Sequence, residues 1–403
     1  MRWEKVAIKS VCKGIYDGPH ATPPMSDSGA IFLGISNFSN GRLDLSDIRY
    51  ISENDLSKWT KRVTPQADDI VFSYEATLNL YAIIPDGFRG CLGRRMALIR
   101  VDKEKIDHKF LYYYFYSDAW RSVIKENTVI GATVDRIPLV KFPDFPIELP
   151  PLTTQRRIAD ILSAYDDLIE NNRKQIKLLE EAAQRLYKEW FVDLRFPGHE
   201  HTRIVDGVPE GWEIDILSNV VKTASGGTPA RNHPEYYTNG FNLWVKTQEL
   251  TDGFILDTEE KITDEAIKNS SAKLVLKGSI LMAMYGATIG KLGIATQDLT
   301  CNQACCVFDI SDFKYGAMYL FCWLLANRNL MIKLGKGAAQ SNLSQAMIKN
   351  LKILVPCSNV LYQFSCFVDS LYLQILNIQK QITILSESRD RLLHKLMSGD
   401  VEE

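Results

Sequence analysis

Apolar positions recur every 3.5 residues along two stretches of the chain. The first runs Ile158, Leu162, Tyr165, Ile169, Asn172, Ile176, Leu179, Ala183, Leu186, Trp190. The second runs Phe364, Val368, Leu371, Ile375, Ile378, Ile382, Leu385, Arg389, Leu392, Leu396. Steps of four and three alternate without a break in both, the pattern of a helix that buries one narrow stripe against another helix. Each stretch predicts a helix of about 40 residues, about 60 Å long at 1.5 Å per residue. Helices of that length overhang a domain of ordinary size, so the two are expected to pack on each other as a coiled coil. Polar Asn172 and Arg389 on the seams are expected to restrict its register.

Ile158 and Phe364 stand 206 positions apart, and the same offset links Thr22-Pro23 to Thr228-Pro229 and Leu149-Pro150 to Val355-Pro356. Trp3-Glu4 finds its match in Trp212-Glu213, and Cys91 in Cys301, at offsets of 209 and 210. Ordered matches at a nearly constant offset predict two copies of one plan. Ahead of each long helix, short β-rich runs are separated by Gly, Asn and Asp turns. In copy one these are 31–35, 70–74, 81–84 and 96–101, with a helix expected over 107–125. In copy two they are 243–247, 279–285 and 305–310, with a helix expected over 315–334. Prolines 143, 146, 150 and 151, and Pro356 in the second copy, mark the passage into the long helices. The expected fold class is α+β. Two globular parts of mixed α/β structure, 1–150 and 197–356, are joined by two long helical segments, 151–196 and 357–403, in an internal pseudo-two-fold repeat.

Composition narrows this picture. The 403 residues are 46% hydrophobic and 24% charged, which excludes a largely disordered chain. The net charge of −2 gives no global sign of nucleic-acid or membrane binding. Locally, residues 87–101 carry Arg89, Arg94, Arg95 and Arg100 without an acid, and residues 313–368 carry six bases without one. No apolar run approaches the roughly 20 residues of a membrane span, and no secretory signal is expected. The eight cysteines form no C-x-x-C pair. Cys301, Cys305 and Cys306 are the one metal candidate, outweighed by the reading of buried thiols in a reducing cytoplasm.

Catalytic motifs are missing. The chain has no G-x-x-x-x-G-K-[ST], G-x-G-x-x-G, H-E-x-x-H or G-x-S-x-G, and no Asn-Pro-Pro-aromatic tetrapeptide. Glu259-Glu260-Lys261 has the E-x-K shape of some nucleases but reads as a charged turn. His199 and His201 lie in a linker. No catalytic residue, metal ligand or cofactor is therefore assigned. Side chains able to reach base edges gather in glycine-flanked loops. In copy one these are His20, Thr22, Ser36, Asn37, Arg94, Arg95, Thr133 and Arg136. In copy two they are Thr228, Arg231, Thr247, Gln248, Tyr285, Gln303, Gln340, Ser341 and Asn342. For any one of them ordinary turn chemistry is the competing explanation. The two copies agree on which loops are polar and differ in what the loops contain.

Five segments then carry a resemblance: Leu149-Pro-Pro-Leu-Thr-Thr-Gln-Arg-Arg-Ile-Ala, Trp190-Phe-Val-Asp-Leu-Arg-Phe-Pro-Gly, Pro209-Glu-Gly-Trp-Glu, residues 281–292, and Leu396-Met-Ser-Gly-Asp-Val. Over essentially its whole length the chain resembles the specificity subunits of type I restriction-modification systems. The resemblance implies two target recognition domains, each reading one half of a bipartite, asymmetric site in double-stranded DNA. It implies that the long helices pack antiparallel, set the distance between half-sites and dock two methyltransferase subunits. Those subunits carry S-adenosylmethionine, and restriction subunits carry the ATP- and Mg2+-dependent steps, so that no cofactor is bound by this chain. It further implies a cytoplasmic protein with no membrane partner. A stand-alone enzyme with a divergent site near 257–261, and a coiled-coil scaffold without sequence preference, are the alternatives. Asn302-Gln303 after Cys301 departs from Leu92-Gly-Arg-Arg after Cys91, so contacts do not transfer from one copy to the other.

Overall fold

The computed structural model describes residues 3–131, 134–313, 316–336 and 342–399. The chain divides into two compact units. One comprises Met1–Ile169 with Ile384–Glu403, the other Glu170–Thr383.

In the first unit, an antiparallel sheet orders Cys12–Asp17, Met96–Val101, Ile70–Ser73 and Tyr81–Ile83. Its central strands are apolar on both faces. Ile70, Phe72, Ala97 and Ile99 point into one core, while Val71, Ala82, Met96 and Leu98 point into another. This is the period-two division a doubly covered sheet demands. A second sheet orders Arg49–Ile51, Ala30–Leu33 and Gly90–Leu92, and the last two strands run parallel. Glu4–Ala7 pairs with Pro146–Leu149, tying the start of the unit to the chain as it enters the first long helix.

The second unit repeats this strand for strand. Lys222–Ser225, Cys305–Asp309, Ile280–Ala283 and Leu292–Ala295 form the large sheet, extended by Gly253–Ile255. Lys261–Ile262, Asn242–Val245 and Leu299–Cys301 form the small one, again with a parallel pair, and Leu274–Val275 adds an edge. Glu213–Ile216 pairs with Lys352–Val355 as Glu4–Ala7 does with Pro146–Leu149.

Two expected helices are each broken in two. The stretch expected as one helix over 107–125 forms His108–Tyr114 and Asp118–Asn127. The Ser117 hydroxyl accepts from the Trp120 amide at 3.2 Å and starts a new helix instead of continuing the old one. The stretch expected over 315–334 forms Ala317–Ala326 and Arg328–Lys336. There the Asn327 side chain folds back to donate to the Trp323 carbonyl at 2.9 Å.

The first long helix spans Leu152–Tyr187 and ends in a single π-helical turn, Lys188–Val192; the second spans Ser358–Ser398. In the first unit the start of one helix shares a core with the end of the other: Ile158, Ala159 and Leu162 with Leu393 and Met397. In the second unit Ala183, Tyr187 and Trp190 share a core with Phe364, Val368, Tyr372 and Ile375, and Asn172 donates to Gln381 at 3.5 Å. Low numbers meeting high numbers in both units is antiparallel pairing. Of the predicted seam, Ile158, Leu162, Ile169, Ala183, Trp190, Phe364, Val368 and Ile375 are buried. Tyr165, Asn172, Ile176, Leu179, Leu186, Leu371, Ile378, Ile382, Leu385, Arg389, Leu392 and Leu396 are half-buried. Near the end of the second helix full burial moves one position along, to Leu393 and Met397. A straight helix of 3.6 residues per turn drifts against a 3.5 repeat, and packing on a globular part recruits a wider stripe than a helix pair does.

Candidate nucleic-acid interface

In the first unit two loops converge on the backbone of Tyr74. Its amide donates to the Arg95 carbonyl at 3.1 Å, and its own carbonyl accepts from the Ile137 amide at 2.7 Å. The turn carrying Arg94 and Arg95 and the loop carrying Arg136 are thereby held on either side of residues 74–77. Arg95 adopts a left-handed backbone, φ 70°, and its Nε lies 3.1 Å from the Glu75 carboxylate. Arg94 and Arg136 are exposed. The Gly18 amide donates to the Met96 carbonyl at 2.9 Å and brings in the loop of His20 and Thr22. His20 Nε2 lies 2.8 Å from the Asp17 carboxylate, which also takes Arg62 at 3.1 Å. Thr22 is exposed.

Ser36 and Asn37 follow Ala30–Leu33, the parallel neighbour of Gly90–Leu92, so they leave the small sheet at the same edge as Arg94 and Arg95. Ser36 is exposed, but Asn37 is only 3% exposed. Its Oδ1 accepts from the Gly34 amide at 2.9 Å, and its Nδ2 donates to the carbonyls of Asp44 and Asp47 at 3.1 and 3.3 Å. With its amide satisfied internally, Asn37 shapes the loop and presents no free edge. Thr133 lies outside the described residues.

The second unit builds the same clamp around Met284. Its amide donates to the Ala304 carbonyl and its carbonyl accepts from the Leu343 amide, both at 2.9 Å. Tyr285 follows, exposed. Exposed Gln303 accepts the Thr228 hydroxyl, and the Gly227 amide donates to the Cys301 carbonyl at 2.9 Å, fixing the 226–231 loop against that strand end. Thr247 and Gln248 follow Asn242–Val245, the parallel neighbour of Leu299–Cys301, and so leave the same edge as Gln303. Asn342 is half-buried beside Leu343; Gln340 and Ser341 lie outside the described residues. Arg231 donates to Glu260 at 2.7 Å and lies over the rings of Tyr237 and Trp244, 4.4 and 5.2 Å from their centroids. The hydrogen bond between them raises the pKa of Arg231 and lowers that of Glu260.

The remaining chemistry-bearing groups have structural surroundings. Lys246 reaches both Glu259 and Glu260, at 3.0 and 3.6 Å, and Lys261 pairs with Asp257 at 3.0 Å. The E-x-K turn is thus a ladder of ion pairs. Cys301, Cys305 and Cys306 are buried, and burial pushes the Cys306 thiol up to about 12, far from the thiolate a metal or nucleophile requires. Among the described residues no group of three or more His, Cys, Asp or Glu is placed to hold a metal ion.

Asp17, Arg62, Glu75 and the two clamp residues carry no signal of their role in the sequence. Tyr74 and Met284 act through backbone atoms, which leave no mark on residue type. Arg62 meets Asp17 across 45 positions of chain.

The repeated plan has a known counterpart. Residues 2–181 and 209–386 each match the profile of the type I restriction modification DNA specificity domain. The chain belongs to this family. It is similar to the type I restriction enzyme MjaIX specificity subunit of Methanocaldococcus jannaschii, 27% identical over 359 residues, covering 88% of this chain and 82% of that one. It is also similar to the HindI specificity subunit of Haemophilus influenzae, 23% identical over 320 residues, covering 63% of this chain and 69% of the other. The crystal structure of a type I restriction-modification S subunit from M. genitalium shares the fold, with a TM-score of 0.57 at 15% identity and 98% and 96% coverage. As a type I specificity subunit, the chain serves DNA recognition and is not itself the enzyme. It works within a complex of further subunits and DNA.

Proposed function

We propose that this specificity subunit reads a bipartite, asymmetric site in double-stranded DNA, one half with each set of converging loops. The observation that carries the reading is the repeated clamp. Tyr74 and Met284 make the same two backbone hydrogen bonds, to Arg95 and Ile137 in one unit and to Ala304 and Leu343 in the other. One frame thus presents arginines in the first unit, and Gln303, Tyr285 and Asn342 in the second. Arginine suits the acceptor edge of guanine, whereas Gln and Asn suit adenine. Two frames alike in backbone and unlike in side chain read unlike half-sites.

Segments 1–150 and 197–356 are the readers, and 151–196 and 357–403 the connector that sets their spacing. The outward faces of the connector helices dock two methyltransferase subunits, and through them restriction subunits. Leu178 and Leu373 are exposed on those helices, as a docking surface requires. S-adenosylmethionine, ATP and Mg2+ act on those partners, in the cytoplasm. Among the described residues no helix is long and apolar enough to cross a membrane.

Exchanging residues 1–150 for those of a relative, within the assembled methyltransferase, tests the reading. Sequencing of methylated adenines is expected to show one half of the motif changed and the other kept. A motif unchanged in both halves overturns the assignment.

A further inference from the structure

A cleft of about 370 Å³ opens beside His20 in the first unit. Its floor is apolar, formed by Trp59, Val63 and Leu92, and its rim is basic, formed by Lys58, Lys61 and Arg62. Arg62 donates to the Gly18 carbonyl at 2.8 Å as well as to Asp17, which fixes the rim to the loop of His20. The Lys58 ammonium lies over the Trp59 ring, 5.7 Å from its centroid. Trp59 Nε1 is buried without a hydrogen-bond partner. Lys58 and Lys61 are exposed and have no carboxylate within ion-pair distance among the described residues; Glu53 is held by Arg89 and Asp17 by Arg62. Arg62 is balanced by Asp17, so the charge left without an ion pair among the described residues is that of Lys58 and Lys61.

The second unit has a counterpart. Helix Asp264–Asn269 follows the edge strand Lys261–Ile262 as helix Glu53–Trp59 follows Arg49–Ile51. Lys268 stands in its last turn and Lys273 just beyond its end; both are exposed and unpaired among the described residues. This segment also abuts the first recognition loop of its unit. The Ser271 hydroxyl donates to the Thr228 carbonyl at 3.4 Å, and a Cβ on Gly227 would meet the Ser271 carbonyl. A lysine in the last turn of a helix is accounted for by the helix dipole alone, which covers Lys58 and Lys268. Lys61 and Lys273 lie past the helix ends, where the dipole does not explain them.

We propose that these two basic segments are phosphate clamps. Lys58 and Lys61 in one unit, and Lys268 and Lys273 in the other, grip DNA backbone phosphates next to the bases that the loops read, while Arg62, paired with Asp17, holds the first segment to its loop. The proposal rests on the reading that both units bind DNA. Lysine is a point charge on a flexible stem, suited to holding a phosphate without regard to sequence. Such contacts fix register and orientation, leaving base identity to the loops. They also place local positive charge on a chain whose net charge is −2.

The test uses the full chain assembled with its methyltransferase subunits. The double variants Lys58→Ala/Lys61→Ala and Lys268→Ala/Lys273→Ala are titrated with cognate and random-sequence duplexes over a series of salt concentrations. Each pair is expected to weaken binding to both duplexes by the same factor and to make the log–log salt dependence shallower by about two. The methylated motif and the melting temperature are expected to stay as they were, and Lys→Arg versions to restore binding. An unchanged salt slope, a changed motif, or weakened assembly with the methyltransferase would each overturn the clamp. Failure of the underlying reading looks different: the unaltered complex would bind cognate and random DNA alike.

Discussion

Asp166 and Arg389 join the two long helices within the first unit: Arg389 Nη1 donates to Asp166 Oδ1 at 2.6 Å. The other carboxylate oxygen accepts from the Tyr113 hydroxyl at 2.7 Å. The side chains are 12% and 25% exposed. Burial acts to lower the pKa of Arg389, and hydrogen bonds to Asp166 and Asp390 outweigh it, so the net direction is upward. Arg389 interrupts an otherwise apolar seam, and Asp166 is the group that makes the interruption tolerable.

Replacing Asp166 by Ala leaves two donors short of their acceptor, a loss of about 1–3 kcal/mol. Arg389→Ala removes one of those donors and leaves Tyr113 in place. Urea unfolding of the single and double variants is expected to give a coupling of about 0.5–3 kcal/mol. Strict additivity would mean that the pair contributes nothing.

Tyr81 and Trp120 make a buried polar contact in the aromatic core of the same unit, with the indole Nε1 donating to the Tyr81 hydroxyl at 2.9 Å. Both residues are at most 1% exposed. Tyr81→Phe keeps the ring and strands the indole donor. A loss of about 1–3 kcal/mol is expected, and Trp120→Phe on the same background is expected to recover part of it. Equal stability of Tyr81→Phe and the parent chain in denaturant melts would refute the argument.

The legible part of this fold is what residue type and spacing encode. The heptads located both long helices, and the constant offset located the repeat, because a buried stripe and a duplicated plan both leave periodic marks. Helix breaks at Ser117 and Asn327 were not legible, since each depends on a side chain turning back on the backbone within an apolar run. The loops were legible as polar and glycine-flanked, but their convergence was not, because Tyr74 and Met284 organise it through amides and carbonyls. Asn37 looked like a base reader by type, and only its three internal hydrogen bonds show otherwise.

His108 gives the first unit a pH response. Burial pushes its pKa below the usual 6.5, against the pull of Asp68 at 3.2 Å. Both folded and unfolded chains hold it neutral at higher pH. Below about 6.5 the unfolded chain takes the proton first, so stability falls with pH until the folded side chain is protonated too. Burial raises the pKa of Asp68, but the hydrogen bond from Lys103 and the charges of His108, Lys103 and Lys109 together outweigh it, so Asp68 is depressed and acts in a lower window. Its contribution is present above about 3.9 and fades as pH falls through its folded value. His108→Gln is expected to flatten melting temperature against pH just below 6.5 and, because the charge of His108 helps hold Asp68 down, to weaken the acid limb as well. An unaltered curve there would exclude His108 as the source.

Gly227, like Gly226 beside it, is a position where the second unit's loop tolerates no side chain. A Cβ there would stand 2.1 Å from the Ser271 carbonyl oxygen and 2.4 Å from its carbonyl carbon, both backbone atoms that cannot turn aside. Gly227→Ala is expected to displace the 226–231 loop, and with it Thr228 and Arg231. Cognate-DNA binding by the assembled complex should fall far more than random-DNA binding. A variant that kept its preference for the cognate site would show that this loop carries no base readout.

Ile375, Ile378 and Leu373 lie within two turns of the second long helix and should respond differently to aspartate. Ile375 is 1% exposed in a core with Phe364, Val368 and Tyr372, so Ile375→Asp buries an unpaired charge and should cost several kcal/mol. Ile378 is half-buried on the seam, where the carboxylate can reach water, so a smaller loss is expected. Leu373 is 58% exposed, and Leu373→Asp should leave the melting temperature nearly unchanged. If the outward helix face docks the methyltransferase, Leu373→Asp should still abolish co-elution of the two in size-exclusion chromatography. Losing assembly only in Ile375→Asp would place the docking surface elsewhere, and losing stability equally in all three would refute the burial pattern of the helix.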